Sequence, residues 1–122
     1  MSADKPFVLL IEDDAASAEA LAMILADWGA EVAHAANARA LENLLAAKRA
    51  VPRFVITDFH LGAGPDGVSL AQHITAAAPG VRVLVLSGSF HGKASAAAQR
   101  AGFAIMQKPA RAEAIIAWLE AK

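Results

Sequence analysis

Phe7-Val8-Leu9-Leu10-Ile11-Glu12-Asp13-Asp14 sets five unbroken apolar residues directly against three acids. A short continuous apolar run with β-branched members is the pattern of a strand covered on both faces. Downstream, Leu21, Ile24, Leu25 and Trp28 recur at helical spacing, and Gly29 is placed to end that helix in a left-handed cap. Asp14 reads as the helix N-cap. The same alternation then repeats. Glu31 to Ala35 is a weak strand, and Asn37 caps a helix carrying Leu41, Leu44 and Leu45, with Pro52 closing the connection. Phe54 to Thr57 is a third strand and Val68 to Ala77 a third helix built on Leu70 and Ile74. The Pro79-Gly80 turn leads into the clearest strand, Val81 to Leu86. Lys93 to Ala101 is a helix with no apolar side chain larger than alanine. Gly102, the strand Phe103 to Met106 and a helix on Ile115, Ile116 and Leu119 complete the chain. Five strands alternating with five helices imply right-handed βαβ units, hence a doubly wound five-stranded parallel sheet between helix layers.

The 122 residues suit one domain, expected over 1–122, and 57% apolar against 19% charged residues is a composition that folds. A formal charge of −1 gives no general field for nucleic acid or anionic lipid, so no direct nucleic-acid partner is expected. The chain has no cysteine, which excludes disulfides and thiolate chemistry and fits a reducing compartment, so the cytoplasm is the expected location. Met1 to Phe7 has mixed charge and a proline, and no apolar run approaches the ~18 residues of a membrane helix. Neither export nor membrane insertion is expected.

In doubly wound sheets, ligands sit outside the carboxyl ends of the strands, where strand order reverses. Strand one ends in Glu12, Asp13 and Asp14, strand three in Asp58, strand four in Ser87-Gly88 and strand five in Lys108-Pro109. Converging carboxylates repel one another unless a cation joins them. Few, hard oxygen ligands without a bidentate cage suit Mg²⁺ completed by water and phosphate. Lys108 supplies a second positive charge, and the Ser87 hydroxyl, beside a glycine, can bond a phosphoryl oxygen. These parts describe phosphoryl transfer to a carboxylate. A lone aspartate after a strand is ordinarily a turn or cap residue; four strand ends each supplying a required type argue for function. Trp28 and Trp118 read as packing groups, and His34, His73 and His91 as surface or half-buried residues without ligand spacing.

The acidic pair after strand one, an aspartate after strand three, a serine after strand four and Lys-Pro after strand five resemble the receiver domains of response regulators and hybrid histidine kinases, over nearly the whole chain. The resemblance implies the flavodoxin-like strand order 2-1-3-4-5. It implies Asp58 as phosphoacceptor, Asp13 as a direct Mg²⁺ ligand with Glu12 as a second acid, and His60 giving its backbone carbonyl to the metal. Ser87 would be the switch hydroxyl and Lys108 the cation on the phosphoryl group, next to a cis Lys108-Pro109 peptide. The expected partner is a histidine kinase or histidine phosphotransfer protein, docking on helix one and the loop after strand five. Self-association is expected to go no further than a weak homodimer. Such a domain catalyses only its own phosphorylation and dephosphorylation and is no conventional enzyme. A free-standing regulator and a piece of a hybrid kinase fit equally.

Two departures from the family pattern stand out. The stretch from Asp58 to Gly67, DFHLGAGPDG, is a residue longer than in many members, lacks their proline after the acceptor and is richer in glycine. The aromatic position three before the lysine holds Ile105, so the readout is expected to pass through the loop Gly88 to Gly92 and the Lys93 to Ala101 helix instead. Of the rival functions, an aspartyl hydrolase of the haloacid dehalogenase class would carry its nucleophile after strand one and needs a cap domain. A flavin carrier would place its phosphate loop where three acids stand. The remaining alternative is a receiver fold that binds partners without being phosphorylated.

Overall fold

The computed structural model describes residues 5–48, 51–62, 64–88 and 92–121. Its elements in chain order are β1 (Phe7–Ile11), α1 (Ala15–Trp28), β2 (Glu31–Ala35), α2 (Ala38–Lys48), β3 (Phe54–Asp58), α3 (Gly67–Ala77), β4 (Arg82–Ser87), α4 (Lys93–Ala101), β5 (Ala104–Gln107) and α5 (Ala112–Glu120). The strands form one parallel sheet in the order β2-β1-β3-β4-β5. Strand order reverses around β1, so the groove at the carboxyl ends of β1 and β3 is the place where such a sheet receives a ligand.

Alternation along the strands builds two cores. Leu9, Ile11, Val55, Val83 and Val85 face α2, α3 and α4, while Val8, Leu10, Phe54, Ile56, Leu84 and Leu86 face α1 and α5. β1 and β3 are buried along their whole length, which explains their continuous apolar lettering. On the second face, Trp28 and Trp118 meet Phe54 edge-on, with ring centroids 6.2 and 5.5 Å away, in the packing role expected of them. Arg82 lies over the Trp118 ring and donates from its two terminal nitrogens to the carbonyls of Trp118 and Ala121, tying down the end of α5.

The helix starts follow from local chemistry. Asp14 accepts from the Ser17 backbone N–H at 2.9 Å and its hydroxyl at 2.6 Å, and Asn37 accepts from Ala40 N at 2.9 Å, both as the sequence implied. Asp66 caps α3 through Ser69 N at 2.8 Å. Gly29 at φ 112° closes α1 in the left-handed region. Boundaries move by one residue at several strands: β3 runs on to Asp58, β4 spans Arg82–Ser87 rather than 81–86, and β5 is shifted one residue later. Asp58 and Ser87 are thus the last rungs of the ladder, paired with Leu86 and Gln107, not the first loop residues. Ladder bonds hold their backbones, so their side chains issue from rigid positions.

Candidate functional site at the carboxyl edge of the sheet

Glu12, Asp13 and Asp58 each place a carboxylate oxygen within 4.8 Å of the other two. Glu12 is 1% exposed and Asp58 8%, whereas Asp13 faces solvent, so the cluster is open on one side only. From the end of β5, Lys108 Nζ reaches Asp58 Oδ2 at 2.9 Å and Glu12 Oε1 at 3.2 Å. The Lys108-Pro109 peptide is cis, as the resemblance implied. The Lys108 backbone N–H donates to the Ser87 carbonyl at 2.8 Å, which joins the ends of β4 and β5. Ser87 is itself fully buried.

The electrostatics fit the geometry. Burial raises the Glu12 carboxyl above its ordinary range and the nearby Asp58 charge adds to this, while the Asp14 N–H and Lys108 act in the opposite direction. Burial acts to lower the Lys108 ammonium, but its bonds to Asp58 and Glu12 outweigh that and leave it raised. Asp14, exposed and engaged with Ser17, is held below the usual range by that hydroxyl and N–H, in keeping with a cap. Two of the three carboxylates share one ammonium, and that of Glu12 resists ionising. That donor set of hard oxygens with excess negative charge fits a divalent cation.

The Asp58 backbone is clamped by contacts that the sequence did not announce. Thr57, fully buried, donates its hydroxyl to the Asp58 carbonyl at 2.9 Å. Phe59 N donates to Leu86 O and Gly67 N to Phe59 O, both at 2.9 Å, folding the long loop back onto β3. Gly67 lies so close that a Cβ there would strike the Asp58 carbonyl oxygen and come within 2.5 Å of Thr57 Oγ1. The Asp-Gly pair before an apolar helix was visible in the sequence; the contact that demands glycine was not.

Other expected residues fall as follows. His60 is exposed, its ring edge-on to Phe59 at 4.9 Å. His73 is exposed on α3. His34 is also at the surface, yet its Nε2 lies 2.7 Å from the Glu12 carbonyl oxygen, a contact that no sequence signal announced. Ile105 is half-buried against the core beneath α3 and α4. Residues 89–91, which include His91 and most of the expected switch loop, lie outside the described residues, as does Ala63 of the loop after Asp58.

An acid pair after β1, a strand-end aspartate and a lysine converge on one edge of a five-stranded 2-1-3-4-5 sheet. The chain belongs to the response regulator receiver domain family, whose model matches residues 8–120. It is similar to a response regulator from Burkholderia pseudomallei, whose crystal structure carries a phosphorylated aspartic acid, a calcium ion and citrate. The two are 31% identical over 95% of this chain and 67% of that one, with a TM-score of 0.81. A CheY-like receiver domain from Methanospirillum hungatei (23% identity, 96% and 92% coverage, TM-score 0.83) and the signal receiver domain of an HD domain-containing protein from Pseudomonas fluorescens (24%, 95% and 92%, 0.82) share the fold. No curated protein matches the chain in sequence. As a receiver domain it is a signalling module without an enzyme class of its own. Among the described residues no helix is long and apolar enough to cross a membrane.

Proposed function

We propose that Asp58 accepts a phosphoryl group from a phosphohistidine on a histidine kinase or phosphotransfer protein, and that the modified domain binds its partners differently. The supporting observation is the pairing of Asp58 Oδ2 with Lys108 Nζ at 2.9 Å beside the Glu12 and Asp13 carboxylates. A carboxylate oxygen of Asp58 attacks phosphorus in line; the O–P bond forms as the N–P bond breaks, and the electron pair stays on the leaving imidazole nitrogen. Lys108 offsets charge on the phosphoryl oxygens, and the buried Ser87 hydroxyl is the donor that turns to one of them. Asp13, Glu12, Asp58 and the His60 carbonyl are the groups that would hold Mg²⁺. When bound, the ion neutralises charge on the transferring group. Attack by water on the same phosphorus releases inorganic phosphate and restores the carboxylate. The donor protein docks on α1 and the Lys108–Ala110 turn, where Ala20, Leu21 and Ile24 border the site. We place this chemistry in the cytoplasm, in keeping with a cysteine-free chain.

Acetyl phosphate with Mg²⁺ tests the acceptor directly. Intact-mass measurement should show one added phosphoryl group on the wild type, none after chelation and none on Asp58→Asn. Equal labelling of Asp58→Asn would remove Asp58 from this role, and an unlabelled wild type would favour a binding module that is never phosphorylated.

A further inference from the structure

Four contacts hold the turn that carries the two acids after β1. Glu12 N donates to Ala35 O at 3.1 Å, Asp14 N to Glu12 Oε2 at 3.2 Å, and Lys108 Nζ to Glu12 Oε1 at 3.2 Å. The fourth joins the Glu12 carbonyl oxygen to Nε2 of His34, at 2.7 Å the shortest of them. A carbonyl only accepts, so Nε2 carries the hydrogen in this contact.

The position of His34 explains why a side chain is needed. β1 and β2 pair in register from Phe7↔Glu31 to Ile11↔Ala35, with His34 opposite Leu10. One more ladder bond to the Glu12 carbonyl would require β2 to continue, but it ends at Ala35 and the chain turns toward the Asn37 cap of α2. The imidazole reaches forward along the edge strand and supplies the N–H that the backbone no longer offers. Glu12 is thereby bonded to β2 through both its main-chain N–H and its main-chain carbonyl.

We infer that His34 is a positioning residue for the cation site, acting through the Glu12-Asp13 peptide. The carbonyl that it holds belongs to the peptide plane leading into Asp13, the exposed member of the carboxylate cluster. Among the described residues Asp13 has no backbone ladder partner to orient it, so fixing this plane sets where its side chain leaves the chain. Without the bond, the plane is free to rotate and the three carboxylates lose their common focus. A site must be held to well under an ångström to keep its affinity, and supporting hydrogen bonds are the usual means. This inference rests on the reading of Glu12, Asp13 and Asp58 as cation ligands.

Titration of the purified protein with Mn²⁺ alone, followed by electron paramagnetic resonance, tests it without any phosphorylation step. His34→Ala should weaken Mn²⁺ binding by about threefold to tenfold, the worth of one neutral hydrogen bond. His34→Gln, whose amide N–H sits at about the reach of Nε2, should recover most of that loss; a residue that merely stabilised β2 would not divide its variants by donor capacity. His34→Val, which suits a strand and has no donor, should match His34→Ala and serves if alanine frays the edge. Wild-type affinity in His34→Ala and His34→Val would overturn the inference, as would a His34→Gln no tighter than either. Asp13→Asn separates the two levels. If it abolishes binding while the His34 variants bind normally, only the positioning role falls; if the wild type binds no Mn²⁺, the cation site and the inference fall together.

Discussion

Replacing Gly67 with alanine adds one methyl group at the most confined glycine described in the molecule. The new carbon would strike the Asp58 carbonyl oxygen and stand 2.5 Å from Thr57 Oγ1, where ordinary contact begins at 3.4 Å. It must therefore retreat by well over about 1 Å, and both neighbours are buried in a close-packed interior that does not yield freely. Retreat drags the first turn of α3 off its moorings, the bond from Gly67 N to Phe59 O and the Asp66 cap on Ser69. Overpacking of this kind costs about 1–3 kcal/mol, and a lost backbone bond about 0.5–1.5 kcal/mol more. The better helix propensity of alanine returns ~1 kcal/mol at most. A net loss of about 2 kcal/mol follows, or a fall in Tm of roughly 5–10 °C for a domain of this size. Gly80→Ala is the matched control, because nothing lies within 4 Å of its Cβ position; it should change stability by less than about 0.5 kcal/mol. Urea unfolding of both variants at one pH decides the matter. The strain falls on the Asp58 backbone, so any folded Gly67→Ala should also label more slowly with acetyl phosphate. Equal midpoints for the two variants would refute the steric account of the Asp66-Gly67 pair.

Two more predictions come from the same region. The folded state raises the Glu12 carboxyl above its ordinary 4.5, so it binds that proton more tightly than the unfolded chain does. Metal-free protein should therefore lose stability, relative to Glu12→Gln, as pH rises from 4.5 through the folded pKa. Added Mg²⁺ should stabilise more at pH 7.5 than at pH 5; chelator-treated urea titrations showing the opposite slope would refute this. In α4 only Ala94 and Ala98 are buried and Gly92 makes no side-chain cap, whereas α5 is anchored by Ile115, Leu119 and the Arg82 bonds. Hydrogen exchange with beryllofluoride and Mg²⁺ should therefore change across residues 93–101 and leave 112–120 nearly constant, and the reverse pattern would place the switch in α5.

The sequence alone determined the layers of this protein and the edge of the sheet where its acids and Lys108 meet, because both are written in local patterns. Unbroken apolar runs mark strands buried on both faces, helical spacing marks their covers, and the rule that ligands gather at strand carboxyl ends brings Glu12, Asp13, Asp58, Ser87 and Lys108 together before any coordinate is known. Tertiary structure decided what local patterns do not encode. Asp58 and Ser87 became ladder residues because their partners Leu86 and Gln107 lie far along the chain. The burial that raises Glu12 comes from packing around it, and the letters E-D-D carry no trace of it. Thr57, Gly67 and His34 have ordinary alternative roles in sequence, as a strand polar residue, a helix start and a surface imidazole. Thr57 bonds its own neighbour, but the contacts of Gly67 with the Asp58 carbonyl and of His34 with the Glu12 carbonyl exist only because the chain returns a second time to the same sheet edge. Patterns with a period of two or 3.6 residues reveal which face is buried, but the distance between two backbones is settled only when both are in place.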